Sequence, residues 1–96
     1  MIQLHVTYTM KPGVAPKAFL DALNEAHIPE KCRQEKGNIR YAYYFPADDD
    51  QRLFLLEIWE DKASLKAHQQ APHFKQMPAV KELYVSETDC VRYDTL

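Results

Sequence analysis

Residues 52–74 read RLFLLEIWEDKASLKAHQQAPHF, and this stretch decides the fold. Arg52 to Glu60 is rich in Leu, Ile, Phe and Trp and has the length of a strand. Asp61 is an N-cap residue for a helix from Lys62 to Gln70. Ala71-Pro72 interrupts that helix, and Pro72 can open another through Phe74, Met77, Val80 and Leu83. The only tryptophan, Trp59, is thus tied by a short connection to His68 and His73.

The strand in this stretch is apolar on both faces. Leu53, Leu55 and Trp59 alternate with Phe54, Leu56 and Ile58, and Glu57 interrupts the first set. Helices can cover one face of a small sheet, so the other face of a monomer should be polar. It is not, and a chain of 96 residues is too short to supply a second layer. A domain of this size buries only about two thirds of the surface of its unfolded chain. A homodimer packed sheet against sheet answers both points. Glu57 marks the face where a polar pocket can sit.

Working outward, Ile2 to Met10 alternates, with Ile2, Leu4, Val6, Tyr8 and Met10 on one face and Gln3, His5, Thr7 and Thr9 on the other. That is a strand, and Lys11-Pro12-Gly13 ends it. Pro16 opens a helix of about four turns toward Cys32, with Phe19, Leu20 and Leu23 at helical spacing. Pro29 conflicts with a continuous helix, which must either kink or restart there. Asn38 to Pro46 is a second strand, with Ile39, Tyr41, Tyr43 and Phe45 on one face. Asp48-Asp49-Asp50 is a solvated hairpin turn, and Thr88 to Thr95 is the last strand. The order β-α-β-β-α-β is the ferredoxin-like arrangement, an α+β fold with an antiparallel sheet, and residues 1–96 make one domain.

Composition narrows the function. The net charge is −2 and no basic block exists, which disfavours a nucleic-acid partner. No apolar run approaches the roughly 20 residues that span a bilayer. The sequence reads as a soluble, cytoplasmic protein with no membrane partner. Cys32 and Cys90 form no CxxC or Cys/His cluster in the sequence. They read as free thiols, and structural zinc is not expected. His68 and His73 are five apart with a proline between them, so they do not share a helix face as a zinc pair would. No metal ligands and no cofactor motif are assigned.

The spacing Glu57-x-Trp59-x-x-x-x-x-Leu65-x-x-His68, followed by Pro72-His73-Phe74, resembles the antibiotic biosynthesis monooxygenase superfamily, most closely its small quinol-monooxygenase-like members. Glu35-Lys36-Gly37-Asn38-Ile39-Arg40-Tyr41 resembles the E-x-G-x-x-x-Y entry to that family's second strand. The resemblance implies a ferredoxin-like unit whose sheets pair into a dimeric α/β barrel. It implies oxidation of quinols or hydroxylated aromatics by O2 without metal or flavin. Other relatives degrade haem or isomerise a phosphorylated autoinducer-2 derivative. The haem-degrading branch uses an Asn in its first strand, where this chain has His5. Members of the actinorhodin type pair their Trp with an Asn and a helix Tyr, and Leu55 and Leu65 stand near those places here.

Cofactor-free oxygenation needs a base near neutral pH, a flat apolar wall and exclusion of water. His68 is the expected base, since His titrates in that range. Trp59 is the expected wall. Glu57 shares its strand face with Trp59 and would orient a histidine or hold a substrate hydroxyl, unless it pairs with Arg40 or Arg52. His5 and Thr7 line the pocket if their side of the first strand faces the helices. Tyr41 and Tyr43 could donate to a substrate oxygen, and Phe74 completes the set of substrate-binding residues that the resemblance implies. The bland alternative to each is a residue of the core or the surface. An isomerase that needs no O2, and a barrel that binds a small ligand without turnover, stand as alternatives to the oxygenase.

Overall fold

A computed structural model describes residues 1–95. Four strands, β1 (Ile2–Met10), β2 (Asn38–Tyr44), β3 (Arg52–Trp59) and β4 (Val85–Asp94), form one open antiparallel sheet in the order β2-β3-β1-β4. This is the ferredoxin-like order expected from the sequence. Five helices accompany it: α1 (Pro16–Glu25), α2 (Ile28–Arg33), α3 (Lys62–Gln70), α4 (Pro72–Lys75) and α5 (Met77–Tyr84).

Each of the two long helical stretches is divided, and proline explains both divisions. Pro29 stands in the first turn of α2, where its missing N–H is not needed. The chain turns between α1 and α2 at His27, which adopts the left-handed conformation with φ 58°. The conflict at Pro29 is thus resolved as a restart. The helix expected from Pro72 to Leu83 is likewise two pieces, because Pro78 begins α5. Asp61 caps α3 as expected, accepting from the Ser64 amide at 2.8 Å. Such a cap contributes about 1 kcal/mol.

Register sorts side chains to the two faces of the sheet. Leu4, Glu57 and Tyr41 form one cross-strand row, and Val6, Leu55 and Tyr43 form the next. These rows face the helices. Phe19, Leu23, Ile28, Leu53, Leu55 and Trp59 are fully buried there. Each such burial stabilises the fold by roughly 1.5–3 kcal/mol. Two expectations for β2 are corrected. A register shift between Asn38 and Arg40 leaves Ile39 exposed, and Phe45 lies beyond the strand and is exposed too.

The far face carries the rows His5–Leu56–Ala42 and Thr7–Phe54–Tyr44. It has no covering layer within the chain. Phe54, Leu56 and Ile58 are only half-buried, while Tyr44, Val91 and Tyr93 are exposed. Among the described residues, no helix is long and apolar enough to cross a membrane.

Candidate active site

Glu57 and Trp59 project together from the end of β3 because strand residues two apart share a face. His68 reaches them from α3, about two turns beyond the Asp61 cap. The imidazole lies over the indole with ring centres 4.5 Å apart and planes inclined by 32°. The indole N–H donates to Glu57 Oε1 at 3.1 Å. His68 Nε2 stands 3.7 Å from the same oxygen, outside hydrogen-bond range. Phe74 of α4 meets the His68 ring edge to face at 5.0 Å, and the Tyr41 ring lies 6.1 Å away. Trp59, His68 and Glu57 are 0%, 2% and 6% exposed.

Glu35, in the turn between α2 and β2, completes the cluster. Its Oε2 lies 2.6 Å from His68 Nδ1 and 2.9 Å from His73 Nε2. Gly37 fixes this turn. Its φ is +83°, and a Cβ there would meet the Ser64 Oγ and Cβ at 2.0 and 2.4 Å. The Gly37 carbonyl accepts from the Glu60 amide at 2.8 Å, so the turn is clamped onto the β3–α3 junction. Only glycine fits a site that combines this backbone with so close an approach.

The electrostatics follow from burial. Glu57 is pushed up to about 7, chiefly by desolvation; the Trp59 N–H opposes the rise and the charge of Glu35 adds to it. His68 is held below its ordinary value, again chiefly by burial, although hydrogen bonding to Glu35 pulls the other way. Both directions favour neutral forms near pH 7. A carboxylate only accepts, so neutral His68 is assigned its proton on Nδ1, toward Glu35. That leaves the Nε2 lone pair on the side of Glu57. Tyr41 and Tyr43 are both raised by burial and remain phenols. The Tyr43 hydroxyl is buried without a hydrogen-bond partner.

The structure brings His68, Trp59, Glu57, Tyr41, Tyr43 and Phe74 to one face of the sheet. It does not bring His5 and Thr7 there. They pair with Leu56 and Phe54 and point to the far face, where His5 packs against Phe54 and Tyr93. The expectation that they line the pocket is corrected, since the helices cover the opposite face. Glu57 has no arginine partner among the described residues: Arg40 bonds Tyr44, and Arg52 bonds Asp49 and Thr9. Trp59, His68 and Glu57 are all buried, so the site is closed over by its own side chains. Part of its cover is α4, a single short helix that carries His73 and Phe74, neither fully buried.

Two residues escaped the reading of the sequence as site members. Glu35 was visible only within the E-x-G motif. Cys32, buried in α2, is four-clustered with Glu35, His68 and His73: one ligand atom from each lies within 4.8 Å of the others. Neighbours in space replace the neighbours in sequence that a Cys/His motif requires, and these four residues could hold a metal ion. Both cysteines are free, Cys32 buried and Cys90 exposed.

Comparison with known proteins agrees with this architecture. The chain is 32% identical over 81 residues to "Putative monooxygenase YcnE" of Bacillus subtilis, covering 82% of this chain and 85% of that protein. The fold superposes on PA3566 of Pseudomonas aeruginosa with a TM-score of 0.85 at 25% identity, covering 99% of this chain and 93% of the other. A conserved protein of Methanosarcina mazei Go1 gives 0.84 at 28% identity, covering 99% and 92%. The sequence profile of the antibiotic biosynthesis monooxygenase family matches residues 1–80. On this match the chain belongs to the antibiotic biosynthesis monooxygenase family.

Proposed function

We propose that the protein is a cofactor-independent monooxygenase that oxidises a small quinol or hydroxylated aromatic with O2. The observation that carries this reading is His68: neutral, buried, fixed through Nδ1 by Glu35, with Nε2 unbonded beside an aromatic wall. A lone pair held in this way accepts a phenolic proton without first losing a competing hydrogen bond.

The phenolate that results is electron-rich enough to pass one electron to O2. Recombination of the two radicals forms a carbon–oxygen bond and a peroxide. Loss of water from the peroxide leaves a quinone carbonyl, so one oxygen atom stays in the product and the other leaves as water. Trp59, Phe74 and Tyr41 supply the flat apolar walls. The unpartnered Tyr43 hydroxyl donates to a substrate oxygen. Glu57, near half-protonated at neutral pH, passes a proton to the departing oxygen. Two carboxylates in the site disfavour a phosphorylated substrate, which sets the isomerase behind the oxygenase.

The working form in this reading is a homodimer in the cytoplasm. Support comes from the uncovered far face, where Tyr44, Phe54, Leu56, Ile58, Val91 and Tyr93 form an apolar surface that a second copy would cover. The test of the chemistry is turnover of hydroxylated naphthalenes under isotopically heavy O2. One heavy atom in the product carbonyl is expected. Turnover that continues without O2 would overturn the oxygenase in favour of an isomerase.

A further inference from the structure

We propose that Cys32, Glu35, His68 and His73 form a binding site for a divalent ion of the zinc class, a site that shares Glu35 and His68 with the oxygenase chemistry. The donor set is one cysteine sulfur, which burial keeps as a thiol and which releases its proton when it ligates, with one carboxylate and two imidazoles; the combination suits a four-coordinate ion of borderline softness. The four residues come from four separate elements: α2, the turn after it, α3 and α4. Helix geometry alone therefore does not bring them together. Cys32 and His68 are buried, and the side chains of Glu35 and His73 are 15% and 12% exposed, which leaves an entry path between them.

The distances suit such an ion with small movements. Bond lengths of about 2.0–2.3 Å at tetrahedral angles separate ligand atoms by roughly 3.3–3.7 Å. Glu35 now lies 2.6 Å from His68 and 2.9 Å from His73, and all four ligand atoms fall within 4.8 Å. Opening the first two by less than about an ångström and drawing in the Cys32 sulfur gives the required cage. The outer shell is also in place. Ligating histidines commonly direct their second nitrogen to a carboxylate, and His68 Nε2 faces Glu57, itself held by the Trp59 N–H.

Occupancy has a definite consequence for the base. In the metal-free protein His68 carries its proton on Nδ1. An ion that takes the Nδ1 lone pair forces the proton of the neutral ring to Nε2. The same residue then cannot accept a proton from substrate, so the ion switches the base off. This consequence rests on the oxygenase reading; ion binding does not.

The test uses the full-length protein stripped with EDTA and titrated with Co2+ under anaerobic, reducing conditions. Wild type and C90S are expected to bind one ion per chain, with a thiolate-to-cobalt charge-transfer band and the intense visible bands of four-coordination. C32S is expected to lose the charge-transfer band, and H73N to bind at least about tenfold more weakly. H73N changes a residue of the short helix α4 that lies outside the fully buried core, so the test stands even if C32S does not fold. No saturable spectrum in wild type, or unchanged binding in H73N, would overturn the site. A stoichiometric Zn2+ addition should then reduce O2 uptake reversibly. No turnover by the EDTA-stripped protein, with Co2+ binding intact in the titration, would refute the oxygenase and leave the metal site standing.

Discussion

Glu35 Oε2 lies 2.6 Å from Nδ1 of His68, although the two residues are 33 positions apart. This contact sets the tautomer of the imidazole and so decides which nitrogen is free for chemistry. Replacing Glu35 by Gln keeps an acceptor but removes the charge that favours proton uptake at His68. O2 uptake by metal-free E35Q should fall roughly 10- to 100-fold, the usual cost of losing an outer-shell partner. The pH profile should move acid-ward in step, as NMR titration of the His68 ring would report. An unchanged profile would show that Glu35 only packs.

The turn that carries Glu35 depends on Gly37. Ala at this position is strained by φ +83° and collides with Ser64. G37A should lose about 2 kcal/mol or more of stability in urea unfolding. A loss near zero would mean that the turn rearranges freely and does not fix Glu35.

Glu57 makes stability depend on pH in the direction opposite to most carboxylates. Its folded value is raised from the ordinary 4.5 to about 7, so the folded state binds the extra proton between those limits. The stabilisation is present below pH 4.5 and is lost as pH rises through 7. The expected decline across this window is on the order of 3 kcal/mol at most, superimposed on the titration of other groups. Urea unfolding of metal-free wild type and E57Q at pH 5 and pH 8 isolates the effect. E57Q should show the smaller decline; equal declines would place the penalty elsewhere.

The far face predicts self-association. A charge at Phe54 or Leu56 would have to be desolvated in a sheet-to-sheet dimer. L56R should therefore sediment as a monomer where wild type sediments as a dimer. Wild type that sediments as a monomer would contradict the role given to this face.

Much of the fold was legible because period-two alternation in β1 and β3 and the Asp61 cap are local signals. The two-faced pattern of β3 correctly marked an uncovered face. Pro29 and Pro78 were harder: a proline fixes a helix start, yet the apolar spacing runs through it, so two short helices look like one. In the candidate site, strand alternation made it legible that Glu57 and Trp59 share a face, whereas His68 was joined to them through the family resemblance. The side of β1 that faces the helices was not legible, because both sides hold residues that tolerate partial burial, and His5 and Thr7 fell on the wrong one. Glu35 and Cys32 join the site only through the turn at Gly37 and the restart at Pro29, contacts that no local pattern reports.

The most direct measurement is O2 uptake by EDTA-stripped protein given reduced naphthoquinols, with wild type and H68A compared under identical conditions. Uptake well above the spontaneous rate is expected for wild type, with a loss of about 10²- to 10⁴-fold in H68A. Folded wild type that does not exceed the spontaneous rate, or folded H68A that matches wild type, would contradict the oxygenase reading.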